Sequence, residues 1–206
     1  MNLAPVADVS TDPGDFIYSR TLGQDADATA EYVATVVTAM SDSGMGSVLK
    51  HFPGYGNNVD THTGIAVDDR PLETFRSSDF LPFLSGIEAG EDKTAVLMSH
   101  NIMTCVDAEL PASLSPAVHQ LLRTELGFEG VVMTDDLAMD AVKAYAKDGA
   151  VALMALQAGN DLVITTDYRT QIPLVIEAAR SGAFSTSDLN DACRRVLVWK
   201  QALGLL

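Results

Sequence analysis

The sequence predicts an α/β protein, an incomplete TIM (β/α)8-type barrel with about five parallel strands and flanking helices. Three observations lead there. Short apolar runs rich in β-branched residues show no polar/apolar alternation, the mark of strands buried on both faces. Longer stretches with helical spacing separate these runs, and strand–helix repetition implies a parallel sheet with right-handed crossovers. Polar residues collect where the runs end, the rim that carries the chemistry in a (β/α)8 barrel.

The runs are NLAPVADV (2–9), SVLKHF (47–52), AVLMSH (95–100), GVVMTD (130–135) and DLVITT (161–166). Their ends carry Asp8, Lys50-His51, Ser99-His100-Asn101 and Thr134-Asp135-Asp136. Between them, DATAEYVATVVTAMSDSG places Tyr32, Val33, Val36, Val37 and Met40 at helical spacing and stops at Gly44. SPAVHQLLRTELG opens on Ser-Pro and closes on Gly127, the expected order of helix punctuation. His119 falls in that stretch and is expected at its surface. GAVALMALQAG ends at Gly159 and IPLVIEAARSG at Gly182. The last helix, TSDLNDACRRVLVWKQALG, is expected to use Ser187 or Thr186 as its N-cap. Five runs are three short of a closed barrel. MNLAPVADVS reads as a buried strand from its second residue, so the chain is expected to begin in the middle of a fold.

Composition narrows the function. The 206 residues suffice for one large domain, and 47% hydrophobic with 20% charged residues is an ordinary globular balance. A net charge of -15 repels phosphate backbones and argues against nucleic-acid partners. Cys105 and Cys193 are far apart with no CxxC, which disfavours a zinc site or a disulfide framework. No apolar run reaches the length of a membrane span, and no basic segment is followed by a signal-like apolar one. Neither GxGxxG after a strand nor GxxxxGK[ST] occurs, against a dinucleotide or P-loop fold.

KHFPGYGNNVDTHTG, residues 50–64, is the stretch with most chemistry. Asp60 and His62 stand one residue apart in a Gly/Asn-rich loop. An Asp can fix the tautomer of such a His and raise its basicity, making an acid/base dyad; D-x-H pairs are also common as plain loop polars. Lys50, at a strand end, suits a hydrogen bond to something polar in the cavity, and His51 suits a satisfied core histidine. Asp135 and Asp136 lie where an apolar strand stops. Either one caps the next helix and the other is solvated, or one is a carboxylate nucleophile at the rim. His100 and Asn101 suit rim packing and the shaping of a pocket. There is no HExxH, and the histidine spacing fits no known ligand set, which argues against a metal.

The segments NLAPVADVS, SRTLGQD, KHFPGYGNNVDTH, AVLMSHNIM and GVVMTDDLAMDAV stand in the order and approximate spacing of glycoside hydrolase family 3. The chain resembles the bacterial β-N-acetylhexosaminidase branch over nearly its whole length, as a single partial catalytic domain spanning 1–206. The resemblance implies a retaining β-N-acetylglucosaminidase acting on terminal N-acetylglucosamine, with no cofactor. Asp135 would be the nucleophile, and His62 the general acid/base oriented by Asp60, in place of the second carboxylate of most retaining glycosidases. Lys50, His51 and Arg20 would hold sugar hydroxyls. A histidine acid/base does not repel an anion as Glu would, so phosphorolysis is a minor alternative. β-Glucosidases of the family usually lack the D-x-H loop. Two departures stand out. The motif's usual second His is Tyr55 here, and the loop differs in length from the commonest version. The family barrel also has three strands before NLAPVADV, one ending in a Gly-rich sugar-holding segment. The chain is therefore expected to be the C-terminal part of a barrel, inactive alone, which associates through exposed sheet edges or rearranges. A non-catalytic partial barrel that needs a partner is the reading from another class.

Overall fold

The computed structural model describes residues 1–61, 64–145 and 149–206. At its centre is a parallel sheet in which β3 (Thr94–Met98) lies between β1 (Ser47–Phe52) and β5 (Val132–Thr134). The register pairs Val48 with Ala95, Leu49 with Val96 and Leu97 with Met133. The order β1-β3-β5 leaves β2 (Val67–Asp68) and β4 (Ile102–Met103), which follow β1 and β3 in the chain, as a separate parallel pair.

Both faces of the sheet are covered, which explains the missing alternation in the sequence. Leu49, Phe52, Val96, Met98 and Val132 face one way into a cluster with Val33 and Val37 of α1 (Ala26–Asp42). Phe80 and Phe83 of α3 (Phe80–Gly90) and Val118 and Leu122 of α4 (Pro116–Thr124) complete it. Val48, Ala95, Leu97, Val131 and Met133 face the other way, onto Trp199, Val196 and Leu203 at the end of the last helix.

The three inner runs are strands as expected; the two outer ones are not. Residues 2–6 touch β1 through the isolated bridges Asn2–Ser47 and Val6–Lys50, and Leu162 bridges Met133. Each outer run has a physical reason to leave the ladder. Pro5 has no N–H to donate. Further along, Ile164 N–H donates to the hydroxyl of Thr134, 3.0 Å, instead of to a neighbouring carbonyl.

A helical stretch the periodicity missed joins β2 to β3: α2 (Leu72–Thr74), a π-helical turn (Phe75–Asp79) and α3. The π turn inserts an extra residue, so the apolar positions Phe75 and Phe80 are five apart and the 3.6-residue rhythm breaks. After α4, whose Ser115 cap and Pro116 follow the expected punctuation, come α5 (Asp140–Lys143), α6 (Val151–Ala158), α7 (Tyr168–Ser181) and α8 (Thr186–Ala202). Gly159 and Gly182 end α6 and α7 in the left-handed conformation. The cap of α8 is Ser185, not Ser187 or Thr186; its hydroxyl accepts from Asp188 N–H. His119 is buried, contrary to the surface expectation: its Nδ1 bonds the Ser115 carbonyl at 2.9 Å, and Gly159 lies against its ring.

Gly86 is where α3 comes close enough to α1 and β1 to exclude any side chain. A Cβ there would stand 2.7 Å from Leu49 Cδ2 and 2.8 Å from Val33 Cγ1. Gly86→Val should therefore destabilise by at least about 2 kcal/mol through overpacking, outweighing the gain in helix propensity. Urea unfolding measures this, and an unchanged midpoint would mean that the helices have room to part.

Candidate active site

The end of β1 and the start of the loop after it are fastened to one buried carboxylate. Asp8 is 0% exposed. Its Oδ2 accepts from the backbone N–H of His51 at 3.1 Å and from His51 Nδ1 at 2.8 Å; its Oδ1 accepts from Tyr55 N–H at 2.8 Å. A carboxylate only accepts, so Nδ1 carries the ring hydrogen. Nε2 then offers its lone pair, and Arg20 Nη2 approaches it at 3.3 Å. Sequence reasoning noted Asp8 as a polar strand end but gave it no role.

Lys50 is half-buried beside this group. Burial, then the neighbouring Arg20 charge, lower its ammonium pKa, while Asp135 and Asp8 pull it back up. Lys50 is thus within electrostatic reach of Arg20, Asp135 and Asp8 at once. Asp135 and Asp136 are partly buried. Neither caps a helix, since Met139 precedes α5 and offers no side-chain cap. Instead Asp136 N–H donates to Asp135 Oδ1 at 2.8 Å, and Ala138 N–H to Asp136 Oδ1 at 2.9 Å. The main chain of Asp135 is tied to β3 through its N–H and the Met98 carbonyl, 3.1 Å.

His100 braces the same corner. It is buried and bonds Ser113 Oγ at 2.7 Å and the Asp136 carbonyl at 3.1 Å. The carbonyl accepts, so Nε2 is a donor. Burial lowers the pKa of the ring, against the opposing charges of Asp135 and Asp136. This favours the neutral ring, whose Nδ1 then accepts from the Ser113 hydroxyl. Asn101 is buried too, and neither amide atom has a partner among the described residues.

The loop after β1 runs back over a charge cluster that the sequence reading missed. Arg70 binds Asp68 through Nε and Nη2, and Asp79 through Nη1 and Nη2, all between 2.8 and 3.1 Å. Asn58 joins it, its Nδ2 donating to Asp68 Oδ2 at 2.7 Å and to the Tyr55 carbonyl at 2.9 Å. Gly54 and Gly56 let the loop lie on this cluster. A Cβ at Gly54 would sit within 2.8 Å of the Asp79 side chain, and one at Gly56 2.6 Å from the Arg70 guanidinium. Asp60 is partly buried, and its charge reaches the Tyr55 phenol. His62, the other half of the sequence-read dyad, lies outside the described residues.

The structure therefore brings Arg20, Lys50, His51 and Asp135 to one end of the sheet, and the loop bearing Asp60 departs from the same strand end. A cavity of about 600 Å³ lies elsewhere, lined by Arg123, Phe128, Arg195 and Trp199, next to the segments that lead into β3 and β5.

Residues 1–198 match the Glycosyl hydrolase family 3 N terminal domain, and the chain belongs to that family. It is 37% identical over 206 residues to a "Beta-hexosaminidase" of Stenotrophomonas maltophilia, covering 99% of this chain and 58% of the relative. It superposes on a glycoside hydrolase family 3 β-N-acetylglucosaminidase from a Paenibacillus species with a TM-score of 0.92 at 31% identity, over 99% of this chain and 40% of that one. A β-N-acetylhexosaminidase from Beutenbergia cavernae gives 0.84 at 31% identity, over 98% and 62%. The chain thus spans less than two thirds of the length of these relatives.

The charge cluster under the loop has a measurable signature. Asp79 and Asp68 share one guanidinium, and burial raises the Asp79 carboxyl to about 6 although Arg70 opposes the shift. Its folded pKa lies above the unfolded value of 3.8, so its protonation stabilises the fold below about pH 4, and this contribution is lost as pH rises through about 6. Asp79→Asn abolishes the titration. The stability difference between wild type and variant should change by about 3 kcal/mol between pH 4 and pH 7. Urea unfolding across that range checks it; parallel pH profiles would contradict the shift.

Proposed function

We propose that the chain carries the catalytic side of a retaining β-N-acetylglucosaminidase acting on terminal N-acetylglucosamine. The observation that carries this reading is the convergence of Arg20, Lys50, His51 and Asp135 on one end of the sheet. Family membership and the names of the relatives point the same way. Asp135 attacks the anomeric carbon and forms a glycosyl-enzyme; water then releases the sugar with retention. Its main chain is held by the Met98 carbonyl, and one carboxylate oxygen is turned by the Asp136 N–H. Lys50 and Arg20 bring positive charge to a site whose nucleophile is an anion and whose substrate is rich in hydroxyls. His62, from its place in the D-x-H stretch, protonates the leaving oxygen and later activates water, with Asp60 orienting it.

The partial barrel stays part of the proposal. Arg20 is exposed and Asp135 only half covered. A sugar held from this side alone remains open to water, which competes for each hydrogen bond. Turnover by the 206 residues should fall far below that of the longer relatives. Met1 and Leu3, beside the outer edge of the sheet, are 67% and 39% exposed, which suits association through that edge.

The test is hydrolysis of aryl N-acetyl-β-glucosaminides together with the mass of the protein in solution. Weak turnover is expected, and Asp135→Ala should remove it, by about a thousandfold or more. A mechanism-based fluoro-sugar should label Asp135. His62→Ala should spare dinitrophenyl glycosides and penalise phenyl ones, because a good leaving group needs no proton. Labelling of Asp136 would overturn the nucleophile assignment, and equal losses on both leaving groups would overturn the acid/base assignment. A monodisperse monomer as fast as the longer relatives would overturn the partial-barrel reading.

A further inference from the structure

We propose that Tyr55 is a positioning residue, whose buried phenol holds Thr61 and thereby sets the pose of the loop as far as Thr61, including Asp60. The proposal rests on the acid/base reading of Asp60 and His62 given above. Thr61 is the residue between them in the chain. Tyr55 is 2% exposed and Thr61 1%. The Tyr55 hydroxyl bonds Thr61 Oγ1 at 2.5 Å and accepts from the Thr61 N–H at 3.1 Å. One side chain thus closes the turn over six residues and satisfies both polar groups that Thr61 buries.

The other end of Tyr55 is fixed in the sugar-side cluster. Its N–H donates to Asp8 Oδ1, and its ring stands edge-on to His51 with centroids 5.6 Å apart. Phe16 lies against it at 5.7 Å. Asn58 fastens the Tyr55 carbonyl to Asp68 from below. Tyr55 therefore links the residues proposed to hold the sugar to the loop proposed to deliver the proton. Burial holds the phenol above its ordinary pKa, Thr61 opposes this, and Asp60 and Asp8 add to it, so the hydroxyl keeps its hydrogen at neutral pH. This is the position where the motif usually has a second His, so the tether belongs to this chain's own departure from the pattern.

Removing the phenol oxygen takes from the buried Thr61 N–H and Oγ1 the partner they share among the described residues. The segment is expected to shift in response, and consecutive Cα atoms are only about 3.8 Å apart, so Asp60 shifts with Thr61. An acid/base group tolerates little displacement, since proton transfer needs hydrogen-bond distance. A defect confined to the acid step is the expected result.

The experiment compares Tyr55→Phe, Thr61→Val, their combination and Thr61→Ser with wild type and His62→Ala. Exchange of the Thr61 amide, followed by mass spectrometry, should be about tenfold faster in Tyr55→Phe. Tyr55→Phe should lower kcat/KM about tenfold on phenyl N-acetyl-β-glucosaminide and leave the dinitrophenyl substrate within about twofold. Thr61→Val should act alike, the double variant should be no worse than either single one, and Thr61→Ser should restore the wild-type pattern. Unchanged exchange in Tyr55→Phe would overturn the tether. Faster exchange with equal losses on both substrates would overturn its link to the acid step. If His62→Ala itself showed no leaving-group dependence, the acid/base reading would fail, and with it the catalytic half of the proposal, while exchange would still decide the tether.

Discussion

A carboxylate buried without partners costs several kcal/mol, and Asp8 is fully buried. It is stable because three N–H groups converge on it: the backbone and ring of His51 and the backbone of Tyr55. Charge-assisted bonds of this kind are each worth about 1.5–3 kcal/mol. The dependence runs both ways. Asp8 needs these donors, so the end of β1 and the start of the following loop have one arrangement that satisfies it. That arrangement orients His51 toward Arg20 and anchors Tyr55, from which the loop departs.

A second constraint meets the first from the opposite side of the loop. Arg70 gathers Asp68 and Asp79, and Gly54 and Gly56 lie on the cluster where any Cβ would collide. Asp79 reaches the loop from a π-helical turn, which rotates one residue of the helix out of the regular register. The loop is therefore gripped between an anion that binds its backbone and a cation–anion cluster beneath its glycines. Rigid support under a loop lets exposed chemistry be carried on an irregular segment.

The parts of this architecture that were legible in the sequence are those that obey a single rule. β1, β3 and β5 read correctly because burial on both faces leaves an uninterrupted apolar run. The ends of α6 and α7 read correctly because a glycine marks each left-handed cap. The outer runs were overcalled, since a proline in one and a hydroxyl acceptor beside the other break the ladder without changing hydrophobicity. The helix from Leu72 to Gly90 was missed because the π turn breaks its periodicity. His119 was misplaced because a polar residue in an amphipathic helix defaults to the surface, and tertiary contacts, Gly159 among them, bury it. At the site, Lys50, His51, Asp60, His62 and Asp135 stood out as polar residues at strand ends or in the Gly/Asn-rich loop, while their particular roles, and Arg20 altogether, came from motif resemblance. Asp8, Tyr55, Thr61, Arg70 and Asp79 matter through contacts between segments far apart in sequence or through side-chain closure of a turn, and no local pattern encodes them.

The central claim is that Asp8 dictates how the strand end is arranged, and the tautomer of His51 reports it most directly. Long-range proton–nitrogen correlation spectra of the neutral ring distinguish the two forms. The account predicts hydrogen on Nδ1, facing Asp8, with Nε2 bare toward Arg20, and predicts that Asp8→Ala releases this preference. A wild-type ring carrying its hydrogen on Nε2, or a preference unchanged in Asp8→Ala, would contradict it.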